Sequence, residues 1–430
     1  MRISTRSSAG DTVTRIDSAT ARAIYDSRGR PTIEVELRAG TAIGRGVAPA
    51  GASKGAHEAR ERRDADGHGV VDACAMFRRE IAPALIGLDC RDQTRIDVLL
   101  SQLDGDAQLA RLGGNTLIAT SMAVLQCAAA TAHEPLWRYL AKTNDLAMPL
   151  PEIQIIGGGA HAHGRIDLQD IMALPVGAPD WRTALDWCAR VYHAMGAILS
   201  DAGQLRGVAD EGGFWPDISG NEAALALMVQ AIERAGLKPL DEVAISLDIA
   251  ANQFYRGERY WLLADAQHHT PSAWVDHLAA WCKRYPVVLV EDPCAEVDAA
   301  HFAGFRTAMA GRALIVGDDL VVTNAQRIRD AAHDGLIDAA LIKPNQAGTV
   351  SDARAALDAC TATGILPIVS ARSGETEDAS IVHLAVGWRA PMLKVGSITR
   401  GERTAKWNEG TRIAEQLYGG GAIRPLPLHY

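Results

Sequence analysis

Six short apolar runs in the second part of the chain each end on or near a charged residue. Run 243–247 leads to Asp248, run 287–290 to Glu291 and run 313–317 to Asp318; run 339–342 leads to Lys343, run 365–369 comes shortly before Arg372, and run 392–393 leads to Lys394. Three carboxylates with no Cys or His in matching places form an all-oxygen donor set with open coordination positions, which suits Mg²⁺. Any one of them could instead cap a helix or sit at the surface, but three like charges brought together repel unless a cation lies between them. Lys343 and Lys394 fall at later run ends. A lysine in a desolvated mouth beside a second lysine is expected to have its pKa pushed down and to serve as a general base; the alternative is an aliphatic stem covering a rim. Arg372-Ser373-Gly374 offers a fork donor, a hydroxyl and a flexible backbone, either a phosphate clasp or an ordinary polar turn. Ser53, in Gly51-Ala52-Ser53-Lys54-Gly55, could be a second, mobile clasp. Glu211, followed by Gly212-Gly213, is a candidate general acid or a solvated loop charge. Of His161 and His163, two apart without further His partners, a loop histidine in contact with substrate is favoured over a metal pair. Together these parts suit removal of a proton next to a carboxylate and expulsion of a group from the neighbouring carbon.

Such residues meet only if the runs are strands of one sheet. The charged residues are spaced by 43, 27, 25, 29 and 22 positions, about one strand-helix unit each after the longer first step. Continuous apolar strands alternating with helices predict a parallel sheet covered on its outer face, and this many repeats predicts a closed barrel with the charges at one mouth. The first 145 residues read differently. Runs at 20–25, 32–37 and from 41 onward, separated by turn residues, predict a three-stranded meander. Helical spacing follows, with Val71, Cys74, Phe77, Ile81 and Leu85 on one face, and then a segment at 116–132 that is apolar nearly all round and predicts a buried helix. The expected organisation is an N-terminal α+β domain over 1–145 and a C-terminal barrel over 146–430.

Composition narrows the function further. The chain has 430 residues, 48% of them hydrophobic, and a formal net charge of −9. No basic run tracks a phosphate backbone and no apolar run reaches membrane-spanning length, so neither nucleic acid nor membrane is an expected partner. The seven cysteines are scattered and never form a CxxC pair, which predicts buried thiols in a reducing compartment. No signal-peptide pattern occupies the start, so the expected location is cytoplasmic. There is no GxxxxGK[ST] loop, and Gly157-Gly158-Gly159 opens no dinucleotide fingerprint.

At this level the chain resembles the enolase family along nearly its whole length. The matching motifs are Asp26-Ser27-Arg28-Gly29 with Pro31-Thr32, Gly51-Ala52-Ser53 with His57-Glu58, and Asp210-Glu211-Gly212-Gly213-Phe214. Glu291-Asp292-Pro293, Gly317-Asp318-Asp319-Leu320 and Arg372-Ser373-Gly374-Glu375 continue the series. The resemblance implies a lid domain on a modified (β/α)₈ barrel, two Mg²⁺ ions per site and a homodimer or higher homo-oligomer acting on a small phosphorylated or phosphonylated carboxylate. It implies that Asp248, Glu291 and Asp318 bind one Mg²⁺ and Ser53 the second, and that Lys343 is the base. Lys394 would grip the carboxylate side, Arg372 and Ser373 the phosphate, and His161 and Gln169 the substrate, while Glu211 with Asp170 would assist departure of the C3 hydroxyl.

Three departures stand out. Gln169-Asp170-Ile171 replaces the family's Gln-Glu-Phe, Ser370-Ala371-Arg372-Ser373 replaces Ser-His-Arg-Ser, and Lys54 replaces a threonine. They set a specialised paralogue, similar to the carboxyphosphonoenolpyruvate synthase of phosphinothricin-type pathways, against an ordinary dehydration of 2-phosphoglycerate. A non-catalytic enolase-like binding protein is the third reading, disfavoured because a site without function has no need of a buried charge cluster.

Overall fold

The structure, a computed structural model, describes residues 14–52, 54–417 and 420–426. They form two compact units. The first takes the described residues up to Pro49 with Ala59–Leu140 and Pro344–Ala353; the second takes Ala50–Glu58, Ala141–Lys343 and the described residues from Arg354 onward.

In the first unit, β1 (Ser18–Tyr25), β2 (Pro31–Ala39) and β3 (Ala42–Val47) form an antiparallel meander. Ile33, Val35 and Leu37 alternate along β2 onto a buried face. The β1–β2 turn is held by Asp26 Oδ1, which accepts from the backbone N–H groups of Arg28 at 2.9 Å and Arg30 at 2.8 Å. The helix Gly114–Thr131 is buried almost all round, as its small-residue composition predicts, and lies directly on β3. A Cβ on Gly44 would come within 2.1 Å of the Ala123 carbonyl oxygen, and one on Gly46 within 2.2 Å of that of Ala119, so only glycine permits the approach. The predicted face of the earlier helix is corrected at one end. Cys74, Phe77, Ile81 and Leu85 are buried, but Val71 is 65% exposed, because the helix starts there and Val70 takes the buried place.

The second unit is a closed eight-stranded barrel. Its strands are β4 (Leu150–Gly157), β5 (Asp170–Leu174) and β6 (Ala244–Asp248), then, after a small three-stranded sheet of β7 (Tyr255–Arg256), β8 (Arg259–Leu262) and β9 (Gln267–His269), the strands β10 (Val287–Glu291), β11 (Leu314–Gly317), β12 (Ala339–Ile342), β13 (Leu366–Ser370) and β14 (Met392–Gly396). Six of the eight are the apolar runs found in the sequence. The expectation of a parallel sheet is corrected by β5, which runs antiparallel to both β4 and β6. Its direction matters for the site. A reversed strand brings its first residue, Asp170, to the end where β6 finishes, and Asp170 pairs in register with Asp248. The barrel floor is filled by residues such as Leu174, Val288, Leu341, Ile368 and Met392. All seven cysteines are buried and unbridged. Among the described residues no helix is long and apolar enough to cross a membrane.

Candidate active site

The charged residues meet at the carboxyl end of the barrel. Asp248 and Glu291 end β6 and β10 and pair in register; Asp318 directly follows β11, Lys343 directly follows β12, and Lys394 lies within β14 beside Ser370. Parallel strands of similar length put these positions in one layer, which is why spacing alone located them. Lys394 Nζ donates to Asp248 Oδ2 at 2.9 Å and to Glu291 Oε2 at 2.6 Å, and Lys343 Nζ donates to Asp318 Oδ2. His161, Gln169, Asp170, Glu211, Ala371, Arg372 and Ser373 line the same pocket, along with Gly51 and Ala52. The free space at its centre is about 20 Å³, room for roughly one water. Ser53 lies outside the described residues. His163 is exposed and packs edge-on against Trp215 at 6.2 Å, away from the pocket.

The lysines behave differently from the sequence expectation. Burial pulls Lys343 down, but Asp318 and Glu291 outweigh it and hold the ammonium above its ordinary range. Lys394 is likewise held well above, by Asp248 and Glu291 against its burial. The expected lowering assumed that each lysine faces the other, whereas each faces carboxylates more closely.

The acids fit a divalent cation. Asp248, Glu291 and Asp318 are buried carboxylates, and Glu291 Oε1 has no hydrogen-bond partner among the described residues. Burial, and then Asp248, push the Glu291 carboxyl well above its usual value, the state of an acid short of positive charge. Asp318 also belongs to a tight group with Asp292 and Asp319, whose ligand atoms lie within 4.8 Å of one another and which could hold a metal ion. Asp292 uses its two oxygens to accept from the backbone N–H groups of Asp318 at 3.0 Å and Asp319 at 2.8 Å, and so fixes the turn that presents Asp318.

The candidates Gln169, Arg372 and Ser373 are themselves held by residues that are not among the sequence candidates. Gln169 Nε2 donates to Asp248 Oδ2 at 3.0 Å, and its own carbonyl accepts from Gln253, so Gln169 steadies a metal-type ligand as well as lining the pocket. Arg372 Nη1 is paired with Glu58 at 3.1 Å, and Ser373 Oγ accepts from Ala52 N at 2.8 Å. Beneath that turn the fully buried Arg403 donates to the Arg372 carbonyl at 2.7 Å and the Val395 carbonyl at 2.9 Å, holding the clasp from behind. Glu152, fully buried and in register with Lys394, accepts from Ser246 Oγ, and its Oε2 has no hydrogen-bond partner among the described residues. Glu152 and Gln154 had a readable signal: polar residues at alternate places in an apolar barrel strand must point inward. Arg403, on the first turn of the helix Gly401–Gln416, had none.

At the side of the pocket away from Lys343, His161 Nδ1 is 2.9 Å from Asp170 Oδ1 and His161 Nε2 is 3.7 Å from Glu211 Oε1. Burial pulls His161 down, yet Asp170 and Glu211 together raise it to about 9. Glu211 is pushed up by burial and by Asp170. Burial pushes Asp170 up as well, but His161 and Lys394 outweigh it and hold the carboxyl below its ordinary value.

The chain matches two family models that together cover most of its length. Residues 16–140 match the enolase N-terminal domain, and residues 145–423 match the enolase C-terminal TIM barrel domain.

Proposed function

Because the chain belongs to the enolase family, and is thereby an enolase-superfamily enzyme of lyase type, we propose that it abstracts the α-proton of 2-phosphoglycerate, or of a closely related phosphorylated three-carbon acid, and gives an enolpyruvate product such as phosphoenolpyruvate. The observation that carries this reading is that Lys343, Glu211, Asp248, Arg372 and Ser373 line one pocket, with Glu291 bonded to Lys394 and Asp318 to Lys343 beside it. Lys343 takes the proton at C2, and Glu211 gives a proton to the group leaving C3. Arg372 and Ser373 hold the phosphate, and Lys394 holds the carboxylate. Asp248, Glu291 and Asp318 would hold Mg²⁺. Bound there, the ion would supply positive charge to the substrate carboxylate and to the acids that otherwise hold the two lysines protonated.

A second reading is favoured by Ala371. It lines the pocket where the family has a histidine, and so presents a methyl group in place of an imidazole there. On this reading the enzyme is a specialised paralogue of the carboxyphosphonoenolpyruvate synthase kind. Proton NMR with Mg²⁺ and 2-phosphoglycerate in D₂O separates the two. Loss of the C2 proton together with vinyl signals supports the dehydratase, whereas exchange at C2 without vinyl product supports the paralogue. Lys343→Ala is expected to slow exchange by about 10³-fold, and unchanged exchange in that variant would remove Lys343 as the base.

A further inference from the structure

The acid side of the pocket contains one more working part than the proposed chemistry uses. Asp170 Oδ1 is turned onto His161 Nδ1 at 2.9 Å, within a group in which His161, Asp170 and Glu211 keep ligand atoms within 4.8 Å of one another. A carboxylate oxygen only accepts, so Nδ1 carries the proton in this contact and Nε2 is left to face Glu211 Oε1 at 3.7 Å. A single amide locks the arrangement. Gln154 Nε2 donates to the same Asp170 Oδ1, and Gln154 Oε1 accepts from Gly213 N at 2.7 Å, in the loop that carries Glu211. Gly213 is required there, since a Cβ would lie 2.6 Å from Gln154 Oε1. The backbone closes the unit: Asp210 N donates to the His161 carbonyl at 3.1 Å, and Ser397 N donates to that of Glu211 at 3.0 Å. Asp170 and Gln154 are fully buried, and His161 and Glu211 nearly so.

We propose that Asp170 and His161 form a carboxylate-imidazole dyad that returns a proton to Glu211 after each elimination, with Asp170 and Gln154 as positioning residues and His161 as the donor. The proton count closes. As the C3–O bond breaks, its electron pair leaves with the oxygen, which takes the proton of the Glu211 carboxyl. Nε2–H of His161 then protonates the Glu211 carboxylate, Nδ1–H stays on Asp170, and the neutral Nε2 takes its next proton from water. The shorter side chain at 170 is what selects this role. An aspartate at the first position of β5 reaches the ring nitrogen and stops there. The charged groups that act most on the imidazole are Asp170 on β5, Glu211 on its loop and Asp248 on β6, with Lys394 on β14 behind them at 3.9 Å from Asp170 Oδ2; the acids prevail and favour the doubly protonated ring.

This inference rests on the reading of the site as an elimination centre, but the dyad can be tested without turnover. Full-length protein labelled with ¹⁵N-histidine is followed by long-range ¹H–¹⁵N correlation from pH 5 to 10, with His161→Gln to assign the signal. The expected result is a ring that keeps Nδ1–H throughout and loses the Nε2 proton near pH 9. Asp170→Asn should move that titration down by about one unit or more, and Asp170→Glu, which keeps a carboxylate, by less. An unmoved titration in Asp170→Asn overturns the dyad, whether or not any substrate turns over. With 2-phosphoglycerate in D₂O, Asp170→Asn should keep C2 exchange within about threefold of wild type while vinyl formation falls by about 10²-fold, in kcat rather than KM. Equal losses of exchange and product in both Asp170 variants would show a merely structural role and overturn the proposal. If wild type neither exchanges nor eliminates, the elimination reading fails by itself, and the histidine titration still decides for or against the dyad.

Discussion

Lys343 and His161 illustrate how neighbours rather than residue type set the resting charge of a side chain. Both are buried, and burial alone would lower the pKa of each; neighbouring acids reverse that in both cases. For His161 a stability consequence follows. Its folded pKa of about 9 lies above the ordinary histidine value of 6.5, so the native state binds the proton more tightly than the unfolded chain. The stabilisation is fully present below about pH 6.5 and is lost as the pH rises through 9. Thermal melts of wild type and His161→Gln should therefore differ most near pH 6 and converge by pH 10. A constant gap would show that packing, not charge, accounts for the residue. Arg372 makes a parallel case at the clasp: it is held by Glu58 in front and its carbonyl by Arg403 behind, so Arg403→Lys should weaken phosphate-dependent substrate binding and raise KM by about tenfold. A KM unchanged in that variant would mean that the clasp is held by the strand ends alone.

Elements decide which of these residues can meet. One reversed strand, β5, places Asp170 at the mouth; in the parallel orientation that the apolar pattern suggests, its first residue would sit at the barrel floor. The loop between β4 and β5 is equally short of alternatives, because Gly159 has φ of +46° and its neighbour Gly158 would put a Cβ 2.3 Å from the Leu168 carbonyl. In the first unit, the contact of the helix Gly114–Thr131 with β3 depends on two glycines with backbone directly opposite. Gly46→Val is expected to cost about 3 kcal/mol, since the backbone it would meet cannot rotate aside. Urea unfolding measures this directly, and a loss below about 0.5 kcal/mol would mean that the helix is free to shift away from the sheet.

For the whole molecule the governing quantity is the concentration of buried acid at one end of the barrel. A formal charge of −9 is spread over 430 residues, but Asp170, Glu211, Asp248, Glu291, Asp292, Asp318 and Asp319 are all buried near one mouth, where Lys343, Lys394, Arg372 and His161 balance them only in part. A cation that binds the native site and not the unfolded chain stabilises the fold by linkage, about 2.7 kcal/mol at a hundredfold excess over Kd. The melting temperature should thus rise with the logarithm of Mg²⁺ concentration, fall back on adding EDTA, and lose most of its Mg²⁺ dependence in Glu291→Gln. A melting temperature indifferent to Mg²⁺ would refute the assignment of these acids as ligands.

The sequence by itself determined the meander, the buried helix, six of the eight barrel strands and the convergence of Asp248, Glu291, Asp318, Lys343, Arg372 and Lys394, because periodicity and strand-end position are local properties that a parallel barrel carries directly into space. Only the tertiary structure decided the direction of β5, the pairing of Asp170 with His161, the partners of the inward-facing Glu152 and Gln154, and the supporting places of Gln253 and Arg403. It also reversed the expected direction of the lysine shifts. The reason is physical: a strand's direction depends on the chain that returns to it, and a side chain's charge depends on groups tens or hundreds of residues away, so neither is written in the spacing of neighbours.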